Sequence, residues 1–322
     1  MEHNIVKIAI FGATSQIAKD LIMYFEKSSD HELTLFGREP RVIVNWLNNV
    51  AIEKCYCVKD YASFTIDDNY DVVINFIGVS NPAQAKEMGS TIFDITYHYD
   101  MMILNYLKSH ENCKYIFLSS GAVYGGGFNS PVTKETEASF PINNLSEINW
   151  YAIAKMYAEA RHRALAELNI VDVRIFNYFS HTQDLSARFL ITDILRAIRD
   201  KTELLSSPEY IVRDFLHPSD FYQLVSLIIS KVVSNTVVDC YSLAPIDKVS
   251  LLATMKKEFG LCYKVMEASN SVDATGSKPF YYSKNTCAND FGYRPSLTSI
   301  DGLLIECKKV LYRTSPTTII KL

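Results

Sequence analysis

The sequence predicts an α/β protein built on a doubly wound parallel sheet. Three observations carry this. Short apolar runs alternate with helical patterns through residues 5–177, and the runs are almost continuously hydrophobic. The first of them, in IVKIAIFGATSQIAKDL (5–21), turns at Gly12 straight into an amphipathic stretch. Near-continuous apolar strands separated by helices belong to parallel sheets covered on both faces.

Taken in order, strands are expected at 5–11, 32–36, 51–57, 71–77, 114–119 and 170–176, with helices at 16–28, 39–49, 83–110 and 150–168. After residue 177 the alternation weakens. Helical patterns at 186–200, 218–232, 248–259 and 298–312 are interleaved with shorter strands near 208–212, 237–242 and 263–267. Polar stretches at 125–149 and 268–285 read as loops over a site. The layout expected is a Rossmann-like dinucleotide-binding domain over 1–177 and a smaller α/β lobe over 178–322, with segments that return to the first domain.

Composition narrows the class. The 322 residues are 48% apolar and 21% charged, with a formal net charge of −4, so no basic footprint for nucleic acid or anionic membrane is present. No apolar run reaches the length of a membrane span, and the Met1-Glu-His-Asn start has no secretory character, so a soluble cytoplasmic protein is expected. The seven cysteines are scattered, and the CYC spacing at 55–57 is too short for a usual zinc half-site. Reduced cysteines and no metal site are expected.

The chemistry begins at the first turn. A phosphate-binding loop of this kind uses three glycines: one for the turn, one for close approach to the pyrophosphate and one for helix–strand packing. Here only Gly12 is present, and Ser15 and Ala18 take the other two places. Thr14 and the helix-start N–H groups at Ser15, Gln16 and Ile17 would supply donors to a pyrophosphate, with Phe76 beside them at the end of the fourth strand. This motif alone leaves a dinucleotide site and an ordinary strand–helix turn equally open. At the end of the second strand, LTLFGREP places Arg38 where an NAD site often has an acidic residue, which favours the 2′-phosphate of NADP. NAD stays possible, and a solvated arginine beside Glu39 is the plainer alternative.

The strongest local signal is NWYAIAK. Tyr151 and Lys155 are four residues apart and so share one helical face. A neighbouring ammonium is expected to lower the phenol's pKa and make Tyr151 a usable acid or base. Upstream, YIFLSSGAVYGG ends a strand with Ser119 and Ser120, whose hydroxyls can reach both a substrate oxygen and that phenol.

These segments resemble the extended short-chain dehydrogenase/reductases, in the branch that modifies nucleotide-activated sugars. FGATSQIA is similar to the family's glycine loop, SSGAVYG to its serine segment and YAIAK to its Tyr-x-x-x-Lys. VRIFNYF (173–179), VRDFLHPSD (212–220) and FGYRP (291–295) resemble its C-terminal half. The resemblance implies a catalytic role for Ser120, an acid/base role for Tyr151 and ribose binding by Lys155. It implies nucleotide-sugar contacts for Asn177 and Arg213, with assistance from Arg294 and from Arg188 if its helix is oriented as in the family. Asp214 and His217 read as structural.

It also implies a homodimer through the helices at 90–110 and 150–168, a role suited to the consecutive apolar run Met101–Leu104. Sugar 4,6-dehydratases of the family carry an Asp-Glu pair after the catalytic hydroxyl; here Gly121 and Ala122 stand there, which argues against dehydration. Ser15 and Arg38 fit an exchanging NADP(H) site, so the expected activity is reduction of a nucleotide-linked keto-sugar. Epimerisation with a retained cofactor is the alternative. A non-catalytic NADP(H)-sensing protein is a third reading, disfavoured by the intact Ser120, Tyr151 and Lys155.

Overall fold

A computed structural model describes residues 5–50, 52–78, 85, 87–232, 234–266 and 278–312. The first half contributes β1 (Lys7–Phe11), α1 (Gln16–Ser28), β2 (Glu32–Phe36), α2 (Pro40–Asn49), β3 (Cys57–Lys59) and β4 (Val72–Asn75). It continues with α3 (Thr91–Leu107), β5 (Lys114–Ser120), α4 (Glu147–Arg163) and β6 (Ile170–Ile175). The second half runs through β7 (Asn177–Tyr178), α5 (Leu190–Asp200), β8 (Leu204–Ser206), β9 (Val212–Arg213), β10 (Phe215–Leu216) and α6 (Pro218–Ser230). It ends with β11 (Thr236–Asp239), β12 (Ile246–Asp247), α7 (Lys248–Phe259), β13 (Tyr263–Val265), β14 (Phe280–Tyr281) and α8 (Ser299–Leu311).

Seven strands form one parallel sheet in the order β3-β2-β1-β4-β5-β6-β11. The strand order reverses between β1 and β4, and open α/β sheets hold ligands in the crevice beyond the carboxyl ends at such a point. Period-two alternation explains the double coverage. On β1, Ile8 and Ile10 join a cluster with Leu21, Phe25, Leu224 and Val225 from α1 and α6. Ala9 and Phe11 face the opposite cluster, with Ile103, Leu104 and Leu107 of α3 and Ala158 of α4. A third core around Ile194, Leu252, Met255 and Leu303 belongs to α5, α7 and α8.

β11, from the second half, joins the large sheet by pairing with β6, Val238 opposite Val173. The other C-terminal strands make small sheets: β10 with β7, β13 with β8, and β12-β9-β14.

Several boundaries differ from expectation for identifiable reasons. Residues 52–56 are not strand, because the Glu26 carboxylate accepts from the N–H groups of Glu53 and Lys54 and from the Tyr56 hydroxyl, pinning the segment as a loop. Only Cys57–Lys59 pairs with β2. Helix α4 begins earlier than expected, at Glu147, under a capping box formed by Ser146 and Asn149. Of the stretch expected as helix from 83, residues 85, 87 and 88 are helical, Gly89 and Ser90 form a turn, and the helix runs on over Thr91–Leu107; 79–84 and 86 lie outside the described residues. So does most of the expected 268–285 loop.

The Met101–Leu104 run is largely used inside the chain: Ile103 and Leu104 are buried, and Met101 and Met102 pack on the same core. Among the described residues no helix is long and apolar enough to cross a membrane, and none of the His, Cys, Asp and Glu side chains cluster as a metal site. All seven cysteines are free; Cys113, Cys240 and Cys307 are buried, while Cys55, Cys57 and Cys262 are exposed.

One long-range tie fixes how α6 meets the sheet. Lys114, buried at the start of β5, donates through Nζ to the carbonyls of Ile228, Ile229 and Lys231 at the C-terminus of α6. Those carbonyls lack intrahelical partners, and a cation there also complements the helix dipole. Lys114→Met is therefore expected to lower unfolding free energy by about 1–3 kcal/mol. Urea denaturation checks it, and an unchanged midpoint would refute the assignment.

Candidate active site

The turn after β1 approaches the end of β4 so closely that a side chain is excluded. Gly12 has φ +75°, and a Cβ there would lie 3.0 Å from the Phe76 carbonyl carbon and the Ile77 nitrogen. Phe76 is buried against Phe221, so its place beside the loop is fixed. Ser15 is the N-cap of α1: its hydroxyl accepts from the Ala18 N–H at 3.3 Å. This is the local reason a serine stands where a glycine was expected. Thr14 is exposed, and Ser15, Gln16 and Ile17 are half-buried along the lip of the helix.

Beyond the lip, Arg38 is exposed at the end of β2 and close enough to Tyr61 for its charge to act on that phenol. Tyr61 stacks on Phe11 with ring centroids 5.6 Å apart. Sequence reasoning missed Tyr61 because it set the third strand too early.

At the ends of β4 and β5 the other half of the site assembles. Lys155, on α4, is buried; its Nζ donates to the carbonyls of Leu118 at 2.8 Å and Ile77 at 3.4 Å and lies 4.2 Å from the Phe117 ring centroid. A Cβ on Gly78 would come within 3.2 Å of that Nζ, so the glycine keeps the lysine's approach open. Burial pulls the Lys155 pKa down to about 8, against the opposing charges of Asp100, Asp172 and Glu159.

Tyr151, one turn earlier, is half-buried, with the Ser120 hydroxyl near enough to act on its phenol. Its pKa is raised by burial, and only the Ser120 hydroxyl counters this. The expectation that Lys155 would lower it is thus corrected: the ammonium is drawn to two carbonyls, and loss of water around the phenol dominates.

Ser120 caps the short 3₁₀ turn Gly121–Tyr124, accepting from the Ala122 N–H at 3.2 Å. Behind it, Ser119 donates to Glu159 at 2.5 Å, Glu159 pairs with Arg174, and Arg174 and the Tyr124 hydroxyl both reach Asp239. This fully partnered buried network holds the carboxyl end of β5 against α4.

The C-terminal half closes the site from the other side. The Tyr281 hydroxyl lies 3.4 Å from Ser120 Oγ, and the Tyr281 carbonyl accepts from Asn177 Nδ2 at 3.3 Å. β14 pairs with β9 so that Tyr281 stands opposite Arg213, whose guanidinium carbon is 6.0 Å from the Tyr281 ring centroid. Ser120, Tyr151, Lys155, Asn177 and Arg213 therefore share one crevice, and Tyr281, absent from the sequence-based set, joins them.

Two expected residues make their contacts elsewhere. Arg188 is exposed and pairs with Asp193 at 3.2 Å, while Arg294 bonds to the carbonyls of Tyr293 and Asn289 in its own turn. Asp214 and His217 have structural partners as expected. Asp214 accepts from Ser242 and Ser299, and His217 caps α6 while contacting Glu306.

A switch-point crevice with a glycine turn at one end and a Ser–Tyr–Lys group at the other defines a dinucleotide-binding α/β protein. More narrowly, the chain belongs to the NAD dependent epimerase/dehydratase family, whose model matches residues 8–244. A UDP-glucose 4-epimerase 4 of Oryza sativa subsp. japonica is 30% identical over 112 residues, a match covering 34% of this chain and only 28% of that protein.

Solved structures of similar fold cover nearly the whole chain. A UDP-N-acetylglucosamine 4-epimerase from Methanobrevibacter ruminantium, in complex with UDP-N-acetylmuramic acid, has a TM-score of 0.78 at 18% identity, over 96% of this chain and 98% of that one. A UDP-glucose 4-epimerase from Thermotoga maritima with UDP-glucose reaches 0.74 at 17% identity, over 94% and 97%. A dTDP-glucose 4,6-dehydratase from Bacillus anthracis in complex with NAD reaches 0.73 at 16% identity, over 94% and 96%.

Proposed function

We propose that this protein epimerises a nucleotide-linked sugar by hydride transfer at one carbinol carbon, with the dinucleotide retained between turnovers. The observation that carries the chemistry is the Ser120 hydroxyl standing close enough to act on the Tyr151 phenol, beside the buried Lys155. A bound nicotinamide would supply the hydride acceptor and donor. Tyr151 takes the sugar hydroxyl's proton as the carbonyl forms and returns it as the alcohol is restored. Ser120 hydrogen-bonds the same oxygen, and Lys155 holds the ribose and keeps positive charge near the phenol. Arg213 and Asn177 hold the nucleotide end, and residues 178–322 form most of the surface that takes the sugar nucleotide.

Retention is favoured over the exchange expected from sequence by how α1 is fastened. Gln16 donates to Ser180 at 3.0 Å, and Asp20 accepts from Tyr178 and Thr182, each at 2.8 Å, so the cofactor-side helix is tied to the C-terminal half. Relatives described as epimerases point the same way. Dehydration is disfavoured sterically as well as chemically, because a Cβ on Gly121 would lie 2.3 Å from a Phe176 ring carbon. Arg38 supports a second reading, NADPH-dependent reduction of a keto-sugar.

The deciding experiment uses the purified protein with no added cofactor and a panel of UDP-, dTDP-, GDP- and CDP-hexoses. Proton NMR should reveal an epimer, and acid release should free a stoichiometric dinucleotide, NADP if Arg38 acts at the ribose. Absence of any epimer, together with NADPH consumption by a 4-keto nucleotide sugar, would replace this reading by reduction. We also propose a homodimer through α3 and α4, where Tyr97 and Tyr157 are exposed and flank Arg161; a monomer by light scattering at micromolar concentration would refute it.

A further inference from the structure

A buried chain of hydrogen bonds runs from the interior of the sheet to the Lys155 ammonium, and the reaction above does not use it. Asn75 closes the otherwise apolar strand β4, and Tyr115 lies near the start of β5; both side chains are buried. The Tyr115 hydroxyl donates to Asp100 Oδ1 at 3.0 Å and accepts from Asn75 Nδ2 at 2.9 Å. Asn75 Oδ1 turns back to accept from the Ile77 N–H at 2.8 Å. The next carbonyl along, that of Ile77 itself, accepts from Lys155 Nζ at 3.4 Å.

The direction of these bonds is set at the far end. Asp100 is a carboxylate, paired with Arg161 at 2.9 Å and facing His162 Nε2 at 2.8 Å, so it can only accept. The single proton of the Tyr115 hydroxyl therefore goes to Asp100, and its oxygen is left to accept. That requirement turns the Asn75 amide so that Nδ2 faces Tyr115 and Oδ1 faces Ile77. An amide flipped the other way would set two donors against each other at the Ile77 N–H. A buried donor left unpaired in this way costs more than an ordinary hydrogen bond contributes.

The Ile77 turn serves both halves of the crevice. Its nitrogen backs the loop after β1, where a Cβ on Gly12 would lie 3.0 Å away, and its carbonyl holds Lys155. Leu118 supplies the other carbonyl, at 2.8 Å, from within β5. Ile77 lies beyond the end of β4, so its place depends on the Asn75 turn rather than on the sheet ladder. The Tyr115 ring packs in the apolar cluster with Leu104 and Phe117, a place phenylalanine would fill as well. The hydroxyl is what the chain requires.

We propose that Tyr115 is a positioning residue for Lys155, acting through Asn75 and the Ile77 turn to aim a carbonyl at the ammonium. This deepens the proposed epimerisation and rests on it for the role of Lys155.

Tyr115→Phe tests it, beside Lys114→Met, a neighbouring variant that destabilises the fold without touching the chain. Kinetics are read on whichever UDP-, dTDP-, GDP- or CDP-hexose wild type epimerises. Tyr115→Phe is expected to lower kcat about 5- to 50-fold, with KM within about twofold of wild type. Lys114→Met should keep its kcat. An undiminished kcat in Tyr115→Phe, a change confined to KM, or an equal loss in Lys114→Met would each overturn the proposal.

A second readout needs no turnover. Burial holds the Lys155 pKa at about 8, with the charges of Asp100, Asp172 and Glu159 opposing it. In 15N NMR of the lysine ammonium groups, with Lys155→Met to assign the signal, Tyr115→Phe should make Lys155 titrate at lower pH. A weakened carbonyl acceptor favours the neutral amine. An unchanged or raised midpoint counts against Tyr115 as decisively as the kinetics. If wild type epimerises none of the panel, the epimerase reading fails, and Tyr115 is judged by this signal alone.

Discussion

Replacing Tyr151 with phenylalanine is expected to lower kcat about 10²- to 10⁴-fold, the usual worth of a positioned general acid or base. Dinucleotide content should stay close to wild type, because the phenol stands beside Ser120 and the loop at Gly12 is built without it. The melting temperature should also hold. Turnover and binding thus separate cleanly, and a Tyr151→Phe protein with undiminished turnover would exclude the proposed chemistry. Binding without any turnover in wild type would instead favour a sensing protein.

A pH profile adds direction. Burial raises the Tyr151 pKa, so the proton it takes from the sugar in the oxidative half is held firmly until the reductive half returns it. Lys155 has a pKa lowered to about 8 and is charged below that value. The alkaline limb of kcat/KM in wild type should therefore begin near pH 8 and move upward in Lys155→Arg.

Much of this site was legible because its parts are local. SSGAVYG and YAIAK each place their side chains through one strand end or one helical turn, and the near-continuous apolar runs of β1 and β4 mark a sheet covered on both faces. The parts that were not legible are made by distant pairing. Tyr281 matters only because β14, two residues long, aligns with β9 and carries it to Ser120. No local pattern in KPFYYS marks it as a strand.

The same limit applied to β3, where Glu26 of α1 decides the fate of residues 53–56. Electrostatics were the least legible of all. The Tyr–Lys spacing suggested an ammonium acting on a phenol, but burial is a property of the folded crevice and it reverses the sign. Arg188 and Arg294 failed to join the crevice for a related reason: a motif names a residue type, while the carbonyls and carboxylates around it decide where the side chain goes.

The largest stability effect is expected not in the crevice but beneath it, at His162. The ring is fully buried, with Nδ1 2.6 Å from Asp172 and Nε2 2.8 Å from Asp100. Both nitrogens face carboxylate oxygens, so both donate and the ring is an imidazolium. Burial alone would lower its pKa, but the two carboxylates outweigh that and raise it to about 9.

The remaining valences are used. Arg161 reaches Asp100 and Arg163 reaches Asp172, each at 2.9 Å. The Tyr115 hydroxyl donates to Asp100 and accepts from Asn75, whose side-chain carbonyl takes the Ile77 N–H. The cluster thus ties α3, α4, β5 and β6 together under the strand ends whose carbonyls hold the Lys155 ammonium.

His162→Leu would leave two buried carboxylates without their shared donor, at a cost of about 3–5 kcal/mol. The sign with pH follows from the raised folded-state pKa. A histidine at about 9 in the fold and about 6.5 when unfolded contributes stability that is complete below about pH 6.5 and is lost as pH rises through about 9. Urea titrations at pH 6, 7.5 and 9 should therefore show wild type losing its advantage over His162→Leu as pH rises. Parallel curves across that range would mean the ring is neutral in the fold, and the charged pairing of Asp100 and Asp172 would have to be abandoned.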